Sequence, residues 1–248
     1  MIERIVLSEI NRFKDCYVAT KRELPEALTI SKYIDHTLLK ADATPEMISK
    51  LCSEAREYMF WSVCVNSSYL TLVNTLLENT DVKKTVVVGF PLGQMATDVK
   101  AAEAAWAVAN GADEIDMVIN VGLLKAREYQ LVFDDVSKVV ESAEGRVVKV
   151  IIETCLLSTD EKIAACAISR EAGASFVKTS TGFSTGGATE EDVALMKFVV
   201  GDFCKVKASG GVKTRDDAIN MIIIGADRIG TSSGINIVTG EEEIKGGY

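Results

Sequence analysis

A single parallel (β/α)8 barrel is the fold predicted for this chain, and three features of the sequence carry the prediction. The first is length. The 248 residues match the roughly 250 that one such barrel requires and stay within the size that one hydrophobic core can serve. The second is alternation: from residue 30 onward, eight short runs rich in β-branched residues are separated by longer amphipathic segments, the pattern of a parallel sheet covered by helices. The third is a repeated helix stop. Asn110-Gly111-Ala112-Asp113, Ala172-Gly173-Ala174-Ser175 and Ile224-Gly225-Ala226-Asp227 each place a glycine, suited to a left-handed cap, just before the next run. This repetition favours closure over an open doubly wound sheet, and no G-x-G-x-x-G follows the first strand to suggest a dinucleotide site.

In chain order, residues 1–29 precede the first strand and are expected to form an extra N-terminal helix that caps the barrel's bottom or packs beside it, with the barrel occupying 30–248. The strands are predicted at 31–36, 62–66, 85–90, 114–119, 147–153, 175–179, 204–208 and 227–230. Helix starts are marked by Thr44-Pro45-Glu46, Ser158-Thr159-Asp160-Glu161 and Thr189-Glu190-Glu191, where a hydroxyl precedes acidic first-turn residues or a proline. The tail after Gly234 is acidic at Glu241 to Glu243 and ends Lys245-Gly246-Gly247-Tyr248, so mobility is expected there.

Composition removes several function classes. A net charge of -9 opposes binding to nucleic acid or an anionic membrane. No run approaches the roughly 20 apolar residues that span a bilayer, and Glu3, Arg4 and Glu9 interrupt the N-terminus where a signal peptide would be apolar. The six cysteines form no C-x-x-C pair, which fits a reducing cytoplasm. His36 is the single histidine, whereas catalytic zinc sites draw on two or three, so neither a metal nor another cofactor is expected.

In parallel barrels the strands are buried and chemistry sits at their carboxyl ends, so ionisable residues within them need an explanation. Lys178, in Phe176-Val177-Lys178-Thr179, would be desolvated and pushed toward the neutral, nucleophilic amine. Period-two alternation sets Lys205 and Lys207 on one face of the next strand, with Lys207 nearer the catalytic end. Two ammonium groups in one pocket disfavour each other, which lowers the pKa of one. The competing reading has these lysines reaching the rim or pairing with carboxylates. In the fourth strand Glu114, Asp116, Val118 and Asn120 share a face, and Asp116 either relays protons or holds a buried ion pair. The loops Ala208-Ser209-Gly210-Gly211-Val212 and Gly230-Thr231-Ser232-Ser233-Gly234 fall where this fold binds phosphate through backbone N–H groups, with Thr181-Gly182 and Gly186-Gly187 completing a cradle. His36 beside Asp35 reads as structural or catalytic, Cys64 as a small packing group, and Glu153 is open.

Taken together, Ile34-Asp35-His36-Thr37-Leu38-Leu39, Gly89-Phe90-Pro91-Leu92-Gly93, Asp113-Glu114-Ile115-Asp116, the segment Phe176-Val177-Lys178-Thr179-Ser180-Thr181-Gly182-Phe183 and Lys207-Ala208-Ser209-Gly210-Gly211-Val212 resemble the deoxyribose-phosphate aldolases, a class I family, over about residues 31–233. The resemblance implies a TIM barrel in which Lys178 forms the Schiff base, Lys207 lowers its pKa and Asp116 relays protons. It also implies substrate contacts from Asp35, Thr181, Gly182, Gly210, Gly211, Ser232 and Ser233, the last five around the phosphate of a small sugar, and a homodimer. Some members carry a lysine directly after the Thr-Ser-Thr-Gly segment where this chain has Phe183, so a direct cation is lost, and Lys213 is the residue placed to compensate. A C-terminal tyrosine reaches the site in some members; Tyr248 either does so or belongs to a mobile tail. The competing readings are another metal-free sugar-phosphate aldolase, an isomerase with Asp116 as base, and a non-catalytic barrel that binds a phosphorylated metabolite.

Overall fold

The computed structural model describes residues 1–24 and 27–240, so the acidic tail and Tyr248 lie outside the described residues. Eight parallel strands close in sequence order, β1 (Ile34–Thr37), β2 (Ser62–Val65), β3 (Lys83–Val88), β4 (Glu114–Val118), β5 (Val147–Ile151), β6 (Phe176–Lys178), β7 (Lys205–Ser209) and β8 (Arg228–Thr231), with β8 returning to β1. The barrel is therefore a TIM barrel. Strand boundaries shift by up to three residues from the sequence reading, and two of the shifts have a local cause. Residues Ile30–Tyr33 form a 3-10 turn ahead of β1, so the first strand is shorter than expected. Strand β5 stops at Ile151 because Glu153 adopts a left-handed backbone, φ 57°, two residues later.

Helices α2 (Pro45–Glu57), α3 (Leu70–Leu76), α4 (Thr97–Ala109), α5 (Val121–Lys125), α6 (Tyr129–Ser142), α7 (Thr159–Glu171), α8 (Glu190–Val200), α9 (Arg215–Ile224) and α10 (Gly234–Thr239) follow the strands. The expected caps are in place. The Thr44 and Thr189 hydroxyls accept the N–H groups of Met47 and Asp192, and Ser158 and Glu161 satisfy each other's amides in a capping box. Gly111, Gly173 and Gly225 all have positive φ, the conformation that stops a helix and turns the chain into the next strand. Outward strand residues such as Val63, Val86, Ile115, Val150, Val177, Val206 and Ile229 are fully buried against these helices and form one continuous core. No described helix is long and apolar enough to cross a membrane.

Of the two expected positions, the N-terminal helix α1 (Ile2–Cys16) takes the one beside the barrel, on its outer helices. It buries Ile2, Val6 and Ile10, one face at helical spacing, and packs chiefly on α7 with further contact to α6 and α8. Glu9 pairs with Arg170 at 3.2 Å and Lys14 with Asp160 at 3.2 Å, which fix α1 across the outer ring. The chain then runs to the bottom of α9, where Arg22 donates to the carbonyls of Ile222 and Ala226 and pairs with Asp227.

Candidate active site

The strand phases that bury apolar side chains outward turn an unusual set inward. Most inward positions of such barrels carry branched apolar residues; here Leu39, Cys64 and Val87 form one small apolar group with Phe90, the hydroxyls of Ser62 and Thr85 donate to Asp35 and Glu114, and seven further buried side chains are ionic. Asp35, Glu114, Asp116, Lys149, Lys178, Lys207 and Arg228 are all buried. At the centre Asp116 Oδ2 accepts hydrogen bonds from Lys178 Nζ (2.7 Å) and Lys207 Nζ (2.8 Å), while its Oδ1 accepts one from Lys149 Nζ (2.7 Å). The register explains the meeting: Asp116 lies beside Lys149, and Lys178 beside Lys207, on neighbouring strands. Below them Lys149 also pairs with Glu114 at 2.7 Å, Lys207 with Asp35 at 2.5 Å, and Arg228 with Asp35 at 2.8 Å.

Charge counting sets one amine apart. Four cations, Lys149, Lys178, Lys207 and Arg228, face three carboxylates, Asp35, Glu114 and Asp116, in these contacts. Fully ionised, the cluster would hold one uncompensated positive charge, which is costly in a buried site. Lys149 and Lys207 each contact at least two carboxylates, whereas Lys178 has Asp116 alone and shares it. Burial pushes the Lys178 ammonium down, and the charge of Lys207 adds to that push, so its pKa falls below the ordinary lysine range despite Asp116. For Lys207 burial acts in the same direction, but Asp116 and Asp35 outweigh it and the pKa rises. Burial would raise the Asp116 carboxyl; Lys149, Lys178 and Lys207 together hold it well below its usual range. Losing one proton from Lys178 leaves three cations on three carboxylates.

Of the cluster, Lys178 is the member that lines a cavity. A cavity of about 410 Å³ opens above it, and Thr181, Gly182, Gly210, Gly211, Ser232 and Ser233 line the same cavity. The sequence-predicted lysine and glycine-rich loops are thus brought to one place. Close backbone packing shapes it: a Cβ on Gly187 would come within 2.3 Å of the Gly210 carbonyl oxygen, and the Ala188 N–H donates to the carbonyls of Ser209 and Gly210. Gly230 makes room for the amine tier, since a Cβ there would approach Lys207 Cε to 2.8 Å and Ser209 Oγ to 2.3 Å. Lys213 lines the cavity, as does Lys40, which the sequence reading did not single out. Phe183 is half exposed and stacks edge-on against Phe90.

Not every expected residue faces the cavity. Asp35, expected to touch substrate, does not line the cavity. It is fully buried one tier down, because β1 begins at Ile34 and sets Asp35 beside Ser62 and Gly230, where its carboxylate meets Lys207 and Arg228. Asp116 and Lys207 are likewise fully buried and lie behind Lys178. The Thr181 hydroxyl is committed to the protein: it donates to Glu153 Oε2 and accepts the Phe183 N–H. The Ser233 N–H donates to the Thr231 hydroxyl at 2.9 Å. Glu153 is a loop anchor, holding both the N–H and the hydroxyl of Thr181. His36 contacts Glu54 at 2.7 Å and packs on Phe60, joining β1 to α2 away from the cavity. Cys64 is fully buried, and burial raises its thiol pKa, which keeps it protonated. The residues missed were Lys149, Arg228 and the partnering role of Glu114. Val147-Val148-Lys149-Val150-Ile151 carried the same signal as Lys178, a lysine alone among strand-forming apolar residues.

Comparison with known proteins agrees with this fold. Residues 29–240 match the family described as DeoC/LacD family aldolase. The chain is 59% identical over all 248 residues, the full length of both proteins, to a Thermotoga petrophila deoxyribose-phosphate aldolase, and 58% identical over the same span to the Thermotoga maritima protein of that name. A Coccidioides immitis structure provisionally named deoxyribose-phosphate aldolase matches with a TM-score of 0.92 at 41% identity, covering 97% of each chain. The deoxyribose phosphate aldolase of Aeropyrum pernix, described as tetrameric, matches with a TM-score of 0.80 at 33% identity over 95% of each chain. With the family matched across most of its length and two full-length relatives well above half identical, this chain is a lyase that belongs to the DeoC/LacD family of aldolases.

Proposed function

We propose that this aldolase reversibly cleaves 2-deoxy-D-ribose 5-phosphate into D-glyceraldehyde 3-phosphate and acetaldehyde through an imine on Lys178. The observation that carries the reading is a buried lysine amine at the floor of the cavity, with a carboxylate and a second lysine directly behind it. The neutral amine attacks carbon 1 of the open-chain sugar, and the carbinolamine loses water to give a protonated imine. Asp116, ionised and bonded to the Lys178 N–H, relays the protons of that dehydration from one step behind the amine. Removal of the carbon 3 hydroxyl proton turns the C–O electron pair into a carbonyl and breaks the carbon 2 to carbon 3 bond. The bonding electrons move into an enamine, which takes a proton at carbon 2; water then releases acetaldehyde and restores the amine.

The phosphate is assigned to the other end of the same cavity, at Gly182, Gly210, Gly211, Ser232 and Ser233. With Phe183 in place of a cation, Lys213 supplies the positive charge there. Lys213→Ala is expected to raise KM for the phosphorylated sugar by about fivefold, the equivalent of roughly 1 kcal/mol for a solvent-exposed contact, with kcat nearly unchanged. Unphosphorylated 2-deoxyribose should be cleaved equally well by both proteins; an equal loss on both sugars would remove Lys213 from the phosphate site.

The reading is tested by incubating the protein with acetaldehyde or deoxyribose 5-phosphate and sodium borohydride, with a chelator present, followed by peptide mass spectrometry. A two-carbon adduct on Lys178 is the expected result. Bound substrate without an adduct would leave an isomerase or a non-catalytic binder.

A further inference from the structure

We propose that Arg228, on the floor of the barrel, is a positioning residue for the aldol reaction: it is the fixed countercharge that lets the amine of Lys178 stay neutral two tiers above it. An unbroken line of alternating charges joins the two. Arg228 Nη1 lies 2.8 Å from Asp35 Oδ1, Asp35 Oδ2 lies 2.5 Å from Lys207 Nζ, Lys207 Nζ lies 2.8 Å from Asp116 Oδ2, and the same oxygen lies 2.7 Å from Lys178 Nζ. A side branch runs from Arg228 to Glu114 (3.3 Å), to Lys149 (2.7 Å) and back to Asp116 (2.7 Å). Both routes begin at the guanidinium and end at the carboxylate that holds the reactive amine.

Arg228 differs from the other cations because a guanidinium does not lose its proton in a protein. It is also held in place. Its guanidinium lies over the Trp61 ring at 4.4 Å and the Phe176 ring at 5.3 Å, and the Trp61 N–H donates to Glu114 Oε1 at 3.0 Å. Two aromatic faces and two carboxylates thus fix a permanent charge at the bottom of the barrel. With Arg228, Lys149 and Lys207 charged, three cations already match Asp35, Glu114 and Asp116, and a proton on Lys178 is surplus. Without the guanidinium the carboxylates would outnumber the remaining two cations, and protonating Lys178 would restore the balance. The ionisable groups that act most strongly on Lys178 are Asp116 from β4, Lys207 from β7 and Cys64 from β2, and Arg228 stands behind them, paired with Asp35 and Glu114. Its charge is felt at Lys178 through the balance it sets on Asp35 and Glu114.

The direction of each change distinguishes this role from simple loss of packing. In Arg228→Met the midpoint of Lys178 amine reactivity, read by pH-dependent labelling with fluorodinitrobenzene and peptide mass spectrometry, should move up by about one pH unit or more. The acidic limb of the activity profile should move with it. Arg228→Lys, which keeps the charge, should leave both near the wild-type position. Glu114→Gln, which removes a carboxylate from the same branch, should move both down. A folded Arg228→Met protein with an unmoved midpoint overturns the proposal, as does a Glu114→Gln midpoint that stays in place or moves upward. Where Arg228→Met does not fold, Glu114→Gln decides. The inference rests on Lys178 being the nucleophile, and the two can fail separately. Labelling reads the amine without turnover, so a missing borohydride adduct in the wild type defeats the functional reading, while an unmoved midpoint defeats the role of Arg228.

Discussion

Lys178→Leu is expected to abolish turnover, by roughly 10^4-fold or more, and to leave the barrel folded with stability close to that of the wild type. The chemical half follows from the mechanism, since no imine forms without the amine. The stability half follows from the charge count. Leucine removes the one cation that exceeds the three carboxylates, so Lys149, Lys207 and Arg228 still meet Asp35, Glu114 and Asp116 one for one. The position is almost fully buried, where an aliphatic side chain of similar volume is well tolerated. The depressed pKa of Lys178 points the same way: the folded state disfavours its ammonium form, so at neutral pH the native residue costs stability that leucine does not. Thermal melting beside a retro-aldol assay checks both halves. Activity within about 100-fold of the wild type would sink the imine mechanism, and a collapsed melting temperature would sink the charge count.

The barrel and the buried pairing of Lys178, Lys207 and Asp116 were legible for the same reason: both are written in short-range periodicity. Glycine stops and hydroxyl caps are local devices, and Gly111, Gly173, Gly225, Ser158 and Thr189 do in the structure what their neighbours in sequence predict. Lys178, Lys207 and Asp116 stood out because alternation places them inside strands that should be apolar. The same alternation turns Lys149 and Arg228 inward, but nothing in their immediate sequence separates a cation that pairs inside the barrel from one that reaches its rim. Asp35 shows where periodicity runs out. Its face was readable, its height was not, because that depends on where β1 starts and how it registers against β2 and β8. The seat of α1 on α7 was hidden for a related reason. Its apolar face at Ile2, Val6 and Ile10 predicts burial, while the choice of partner rests on contacts such as Glu9 with Arg170, across 161 residues of sequence.

Lys207→Leu should behave in the opposite way to Lys178→Leu, and the contrast separates the two lysines. Removing Lys207 takes a cation from both Asp35 and Asp116 and leaves three carboxylates with only Lys149 and Arg228. Lys178 then becomes the third cation, so its ammonium form is favoured and the acidic limb of activity moves to higher pH. Below the limb, activity should drop about tenfold for every pH unit that the limb moves. Stability should also fall, by about 3 kcal/mol, because the replacement pair is made at one carboxylate instead of two. The sign can be followed across pH. The Lys207 pKa is raised above its ordinary 10.5, so its contribution is complete below that value and is lost only as pH climbs through the higher folded one. The Asp116 pKa is lowered below 3.8, so that contribution is complete above 3.8 and disappears as pH falls through the lower folded value. Between about pH 5 and 9 the stability gap between wild type and variant should therefore widen with pH, because only the variant's native state keeps Lys178 protonated there, and it should close on the acid side. Urea unfolding across that window, read beside the activity profile, tests both parts. An unshifted acidic limb would mean that Lys207 holds Asp116 in place without tuning Lys178, and a gap that vanishes at neutral pH would mean that the buried pairs contribute nothing to the fold.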